Sequence, residues 1–343
     1  MTFAADVRED VPEFDVPPGV GESSNGADPD APQPRLRLSP RLTRAEMAAN
    51  PIQFLCPQAR FLAIGVSTLI TSLGGVGKTR LLLQLFYQLS LGQPVFGCEL
   101  LRPPRPMRCL YIGAEDHQPF FNNAALPLLV HDADRLPFDV ILLPEIWPGF
   151  TLTASTTPVL VEFIEQYRAE HGLDVVGLDP MLSLIGMEYA DMMKNPVVAR
   201  SFFNDCLAPL LASQAFSLIS GNHDSKTGAA VTGSADQQNA ARCVLQLTTE
   251  GPNAAGQATI AAERHKDNLG FRFSKLVLER DPETLLLTWN ESQSSFAYGA
   301  PPTARQFARP PADAAEVRRY LSRQAPTYYD RWRPQSRAAP SGR

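Results

Sequence analysis

The sequence predicts an α/β fold with a mostly parallel central sheet flanked by helices and extended by antiparallel strands at its C-terminal edge. Three observations predict it. From residue 67 to 220, short apolar runs alternate with helix-length segments, as in parallel strands joined by crossover helices. A glycine-rich turn, Ser72-Leu73-Gly74-Gly75-Val76-Gly77-Lys78-Thr79, stands between one such run and a leucine-rich stretch. Past residue 240 the helix-length gaps vanish and β-rich runs follow one another across turn residues, the mark of antiparallel neighbours.

The central strands are predicted at Ser67–Thr71, Cys109–Gly113, Val140–Leu143, Val175–Leu178 and Phe216–Ser220. Each is short and apolar, as strands are when both faces of a sheet are covered. Helices are expected at 78–91, 158–170 and 197–213. The later runs, 242–248, 257–264, 275–280 and 284–289, are separated by Gly251-Pro252, Asn268 to Gly270 and Asp281-Pro282, and are read as strands added to one edge.

Composition changes at both ends. Residues 1–45 carry Asp6, Glu9, Asp10, Glu13, Asp15, Glu22, Asp28 and Asp30 with repeated Pro and Gly. They hold too little apolar surface to offset the entropy of ordering, so an acidic, disordered arm is expected. The segment 46–300 is read as one catalytic domain. From 301 to 343 a basic, Pro/Arg-rich tail follows, with Pro301-Pro302, Pro310-Pro311 and Arg318, Arg319, Arg323, Arg331, Arg333, Arg337 and Arg343; a short helix is expected there at about Ala312 to Arg323.

The chain has 343 residues and a net charge of -5, which gives no global pull toward nucleic acid or an anionic membrane. Its five cysteines, Cys56, Cys98, Cys109, Cys206 and Cys243, form neither a C-x-x-C pair nor a zinc spacing. That usage argues against a disulfide framework and a structural metal, and fits a reducing cytoplasm. No apolar run reaches the roughly 18 residues a membrane helix needs, so no membrane contact is expected.

The glycine-rich turn carries the chemistry. A strand ending in Gly74-Gly75-Val76-Gly77, followed by Lys78-Thr79 and an apolar helix, offers approachable backbone N–H groups and a positive helix terminus to a polyphosphate. ATP is the expected ligand, with Lys78 on the β- and γ-phosphate oxygens and the Thr79 hydroxyl on Mg²⁺. Gly74, Gly75, Val76, Gly77, Lys78, Thr79 and Arg80 make up the expected nucleotide-binding set. The general G-x-x-x-x-G-K-[ST] pattern asks for Gly where Ser72 stands.

Hydrolysis also needs a carboxylate on the metal side and a group that orients or deprotonates the attacking water. Val175-Val176-Gly177-Leu178 runs into Asp179, the expected second metal-side residue. Cys109 to Ala114 runs into Glu115, the candidate base, with Asp116 beside it read as a helix cap or loop ligand. Phe216 to Ser220 runs through Gly221-Asn222 to His223, a candidate sensor of the γ-phosphate.

Together these residues resemble the RepA-like AAA ATPases, a RecA-like P-loop branch whose type member is a ring-shaped hexameric plasmid replicative helicase. The resemblance spans about residues 55 to 290. It includes the Ser-x-Gly-Gly-x-Gly-Lys loop, so Ser72 is at home there, the Ala114-Glu115-Asp116 strand ending with its catalytic glutamate, and the Walker B aspartate of Asp179-Pro180. His223-Asp224-Ser225-Lys226 resembles the family's His-x-Ser-Lys turn. Ala240-Ala241-Arg242-Cys243-Val244 resembles the start of the strand that carries an arginine finger, so the resemblance implies that Arg242 acts in a neighbour's site. Lys266 resembles, more loosely, a further interface cation. Where relatives have Arg-Gly-Ser ahead of the finger strand, this chain has Thr232-Gly233-Ser234.

The resemblance implies a homo-hexameric, ring-forming motor, a replicative-type helicase or single-stranded DNA translocase, with DNA passing the loop from Ser225 to Ser234. That loop holds one basic residue, Lys226, and no aromatic stacking platform. A regulatory or assembly ATPase acting on a protein partner is therefore the alternative. A small-molecule kinase would need lid arginines and an acceptor pocket, neither of which the sequence identifies.

Overall fold

The computed structural model describes residues 51–129, 135–193, 195–223, 241–250 and 258–295. All described elements lie in the unit Ile52–Arg343. The acidic arm, the basic tail with its expected helix, and the turn and loop from Asp224 to Ser234 lie outside the described residues.

A small antiparallel pair, β1 (Phe54–Cys56) and β2 (Phe61–Ala63), precedes the main sheet. The main sheet is built from β3 (Ser67–Ser72), β4 (Cys109–Gly113), β5 (Asp139–Leu142), β6 (Val175–Asp179), β7 (Ser217–His223), β8 (Cys243–Glu250), β9 (Thr259–Asp267), β10 (Lys275–Arg280) and β11 (Leu287–Ser295). Its nine strands run in the order β11-β10-β9-β8-β3-β7-β6-β4-β5. From β5 to β8 every pairing is parallel, and β9, β10 and β11 add antiparallel. This is the RecA-like arrangement the sequence predicts.

The helices are α1 (Lys78–Ser90), α2 (Gln118–Ala125), α3 (Leu143–Ile146), α4 (Thr157–His171), α5 (Pro196–Phe202) and α6 (Ala208–Leu210). Strand alternation sorts the core onto two faces. Ile70, Tyr111, Val175 and Ile219 pack with Leu82 and Phe86 of α1. Leu69, Ile112, Val176 and Leu218 pack with Leu160 and Ile164 of α4 and with Phe202, Leu207 and Leu210. Gly177 lets α1 approach closely, because a Cβ there would stand 2.8 Å from Phe86 Cζ. Farther along α1, the buried Gln84 amide donates to Leu287 O at 2.7 Å and accepts from Leu287 N at 2.8 Å, fastening the helix to the outermost strand.

Four expectations shift. The helix expected at 197–213 runs without a gap from Pro196 to Leu210, as α5, a π-helical turn over Phe203–Leu207, and α6. Pro209 fits the irregularity, since it has no N–H for the carbonyl of Asp205. Leu143 opens α3 instead of closing β5, because Pro144 fits the first turn of a helix better than a strand interior. β7 runs to His223, past the expected end at Ser220, so His223 is a strand residue. β1, β2 and α2 have no counterpart in the sequence reading.

Candidate functional site

The parallel strands all end at one edge, as the pairings Ser72↔His223, Leu178↔Ser220 and Gly113↔Asp179 require. β3 is buried throughout and ends at Ser72. The turn beyond it uses left-handed backbone at Gly75 (φ 81) and at Gly77 (φ 106), conformations that glycine adopts freely. A Cβ on Gly75 would meet nothing within 4 Å, so the loop's outer side is open. Gly77 is the N-cap of α1 and supplies no side-chain acceptor. No N-cap side chain occupies the first turn, which is the positive end of a helix of 13 residues.

Lys78 is 5% exposed. Its Nζ donates to Ser72 Oγ at 2.7 Å and to Ser72 O at 3.3 Å. Ser72 Oγ in turn donates to Leu73 O at 2.8 Å. The serine that departs from the general pattern thus has work a glycine could not do: it holds the lysine ammonium across the mouth of the loop.

Asp179, 3% exposed, sits on the α1 face of β6. Tyr111 Oη donates to its Oδ2 at 3.0 Å, and the Thr79 hydroxyl also bonds to its carboxylate. Burial pushes the Asp179 carboxyl above the usual carboxylate range, and the hydrogen bonds from Thr79 and Tyr111 and the charge of Lys78 pull it back. The same burial, with Asp179 alongside, drives the Tyr111 phenol well above its ordinary value, so it remains a donor. The pocket for this carboxylate is cut by Gly221 of β7, where a Cβ would lie 2.2 Å from Asp179 Oδ1.

Glu115 follows β4, exposed, with Ser183 Oγ at 3.4 Å from its Oε2. Ala114 N donates to Asp179 O at 2.9 Å, which turns the chain after β4 across the end of β6. Asp116 is half-buried beside it. Burial and then the Glu115 charge push its carboxyl up, against the opposing pull of His117. It does not cap α2; that helix has His117 at its N-cap, and Glu145 Oε1 accepts from Gln118 N at 2.6 Å. His223 stands in register with Ser72, and Arg80 lies on the first turn of α1 with Nη1 buried and without a hydrogen-bond partner.

Arg242 lies elsewhere. It precedes β8, whose Cys243 pairs with Thr68 at the start of β3, so it is exposed at the opposite, amino edge, about 17 Å from Ser72 by strand rise. Lys266, opposite Val244 in β9, shares that end. Burial, and next the charge of Arg242, lower the pKa of its ammonium. One molecule therefore gathers Lys78, Thr79, Asp179 and Glu115 at one edge and keeps Arg242 and Lys266 at the other.

The donor set fits Mg²⁺. Among the described residues no group of three or more His, Cys, Asp or Glu side chains is placed to hold a metal. The Thr79 hydroxyl and Asp179 carboxylate, already in contact, are hard oxygen donors of the kind that bind Mg²⁺ while it keeps several waters. The buried, unpartnered Arg80 Nη1 and the uncapped start of α1 suit a phosphate-bearing ligand. Among the described residues no helix is long and apolar enough to cross a membrane. All five cysteines are buried and unpaired.

Sequence reasoning missed Tyr111 and Gly221. A tyrosine in the middle of an apolar strand needs a partner for its hydroxyl, and two residues before Gly113 it must share the face that carries the strand-ending acids. Nothing local in the sequence marks Gly221, whose need for hydrogen is set by a side chain on the neighbouring strand.

A family profile described as an AAA domain matches residues 32–208, just over half of the chain. Among solved structures, a KaiC-like protein from the hyperthermophilic archaeon Pyrococcus horikoshii is similar, with 11% sequence identity and a TM-score of 0.46 over 70% of this chain and 100% of that one. No curated protein matches the sequence.

Proposed function

The chain belongs to the AAA domain family, and from that premise we propose that it is an ATP-hydrolysing, ring-forming motor of the replicative helicase or single-stranded DNA translocase kind. The observation that carries the hydrolytic part is the meeting of Lys78, Thr79 and Asp179 at the carboxyl edge with Glu115 beside them.

In this reading the N–H groups of the loop and of the first turn of α1 bind the phosphates, and Lys78 leaves Ser72 Oγ for the β- and γ-phosphate oxygens. Thr79 and Asp179 would hold Mg²⁺, which would supply positive charge against the negative charge that develops on the phosphate oxygens. Glu115, on the solvent side of Asp179, takes the proton of the attacking water. Tyr111 keeps the Asp179 carboxylate aimed at Thr79, and His223, opposite Ser72, senses the γ-phosphate. Arg242 cannot serve its own loop from the amino edge, so it acts on the nucleotide of the next copy in a ring.

The DNA part rests on the resemblance carried by Ser72, Glu115, Asp179 and the turn that starts at His223. It is tested by adding single-stranded DNA to the full chain with ATP and Mg²⁺. Stimulated hydrolysis and a retained complex at low salt are expected. An unchanged rate with no complex would remove DNA as the substrate. The net charge of -5 and the single lysine between 225 and 234 favour the second reading, a regulatory or assembly ATPase of the same fold acting on a protein. Deleting residues 1–45 separates the two: a helicase keeps its DNA-stimulated rate, whereas a regulator that works through the acidic arm loses its partner.

A further inference from the structure

The amino edge holds a cavity of about 490 Å³, lined by Val66, Ser67, Arg200, Asn204, Leu207 and Arg242 among others. Arg200 and Asn204 stand one helical turn apart on α5 and the π-helical turn that follows it, so one helix face supplies the wall across from the start of β8. Both arginines are exposed at the rim. π-helical turns inside longer helices concentrate at functional sites, and this one carries Asn204 and Leu207 into the cavity.

The two edges of the sheet differ in charge. At the carboxyl edge stand Asp179, Asp116 and Glu115, close enough that Asp116 disfavours ionisation of Asp179 and Glu115 that of Asp116. At the amino edge stand Arg200, Arg242 and Lys266, while the acids of that edge are engaged within the chain, Asp174 by Arg105, Asp267 by Arg264 and Asp139 by the Tyr167 hydroxyl. Amino edge to carboxyl edge pairing of two copies therefore brings the cations beside β8 to acids and to a triphosphate. Such a heterologous contact repeats around a ring.

We propose that Arg200 is a second guanidinium which this edge delivers, together with Arg242, to the terminal phosphate of a nucleotide held in the phosphate loop of the next copy. The inference rests on the trans role given to Arg242 above and deepens it. Two forked guanidinia on one cavity rim can divide the three equatorial phosphoryl oxygens between them, which a single arginine cannot do.

The test uses the full chain, ATP and Mg²⁺. Arg200→Ala, with Arg200→Gln as a second variant, is expected to lower kcat about 100-fold while KM for ATP stays within about threefold, as when a transition-state donor is lost. Each variant is then co-expressed with Lys78→Ala, which lacks a working loop but keeps both arginines. Random assembly pairs an intact loop with an intact amino edge at about a quarter of interfaces, so activity returns in the mixture. Arg242→Ala mixed with Lys78→Ala is the reference. If that reference recovers and the Arg200 mixtures do not, Arg200 acts within its own subunit and the proposal is overturned while the role of Arg242 stands. If neither recovers, the trans reading fails and takes Arg200 with it. Wild-type turnover by the Arg200 variants alone also overturns the proposal.

Discussion

Replacing Gly221 with alanine tests whether Asp179 must sit where β7 lets it. The new Cβ would lie 2.2 Å from Asp179 Oδ1 and 3.2 Å from its Cγ. An unstrained carbon–oxygen contact needs about 3.3 Å, so the carboxylate has to retreat by roughly 1 Å. It has little room, being 3% exposed and held by Tyr111 at 3.0 Å and by Thr79. A 1 Å misplacement in a catalytic constellation can cost on the order of 100-fold in rate, whereas the overpacking itself costs about 1–3 kcal/mol of stability. Steady-state ATP hydrolysis across a Mg²⁺ titration should therefore show kcat down about 100-fold and half-saturation moved to higher Mg²⁺, with a cooperative thermal transition retained. Gly177→Ala is the matched control. Its Cβ meets the Phe86 ring at 2.8 Å instead of a carboxylate, so it should lose comparable stability and keep the rate per folded molecule within a few-fold. Near-normal hydrolysis by folded Gly221→Ala, or an equal loss in Gly177→Ala, would refute the reasoning.

Tyr111→Phe removes a donor that favours the charged form of Asp179. The folded pKa, already raised by burial, rises further. Activity that needs the carboxylate is present above that pKa and lost as pH falls through it, so the acid limb of the kcat/KM profile should move to higher pH; an unmoved limb would mean that Tyr111 only fills space. Glu115→Gln should abolish turnover yet still bind ATP in equilibrium dialysis, while Lys78→Ala should lose both; near-normal hydrolysis in Glu115→Gln would remove it as the base. Gln84→Ala strands the buried N–H and C=O of Leu287, which now bond Gln84 at 2.8 and 2.7 Å. It should cost about 2–4 kcal/mol in urea unfolding, and an unchanged midpoint would show that the pair adds nothing.

The parallel half of the sheet was legible because its strands are buried on both faces and therefore read as short apolar runs between polar turns. The later strands were legible from their turn residues. Each strand-ending polar residue was found for the same reason, since a parallel sheet collects the ends of its strands at one edge. Ser72 is different: its identity looked like a defect in a pattern, and only the 2.7 Å bond to Lys78 Nζ gives it a physical task. What could not be read depends on neighbours distant in sequence. Tyr111 and Asp179 lie 68 positions apart, and Gly221 is defined by a carboxylate on the next strand.

The bond between Gln84 and Leu287 joins two places that the ladder order keeps apart. Leu287 belongs to the outermost strand, and β8, β9 and β10 lie between it and β3, from which the phosphate loop emerges. Gln84 stands within two turns of Lys78 on the same rigid helix. The amide pair therefore ties the helix that follows the phosphate loop straight to the sheet's rim, a cross-brace that passes over three strands of the ladder.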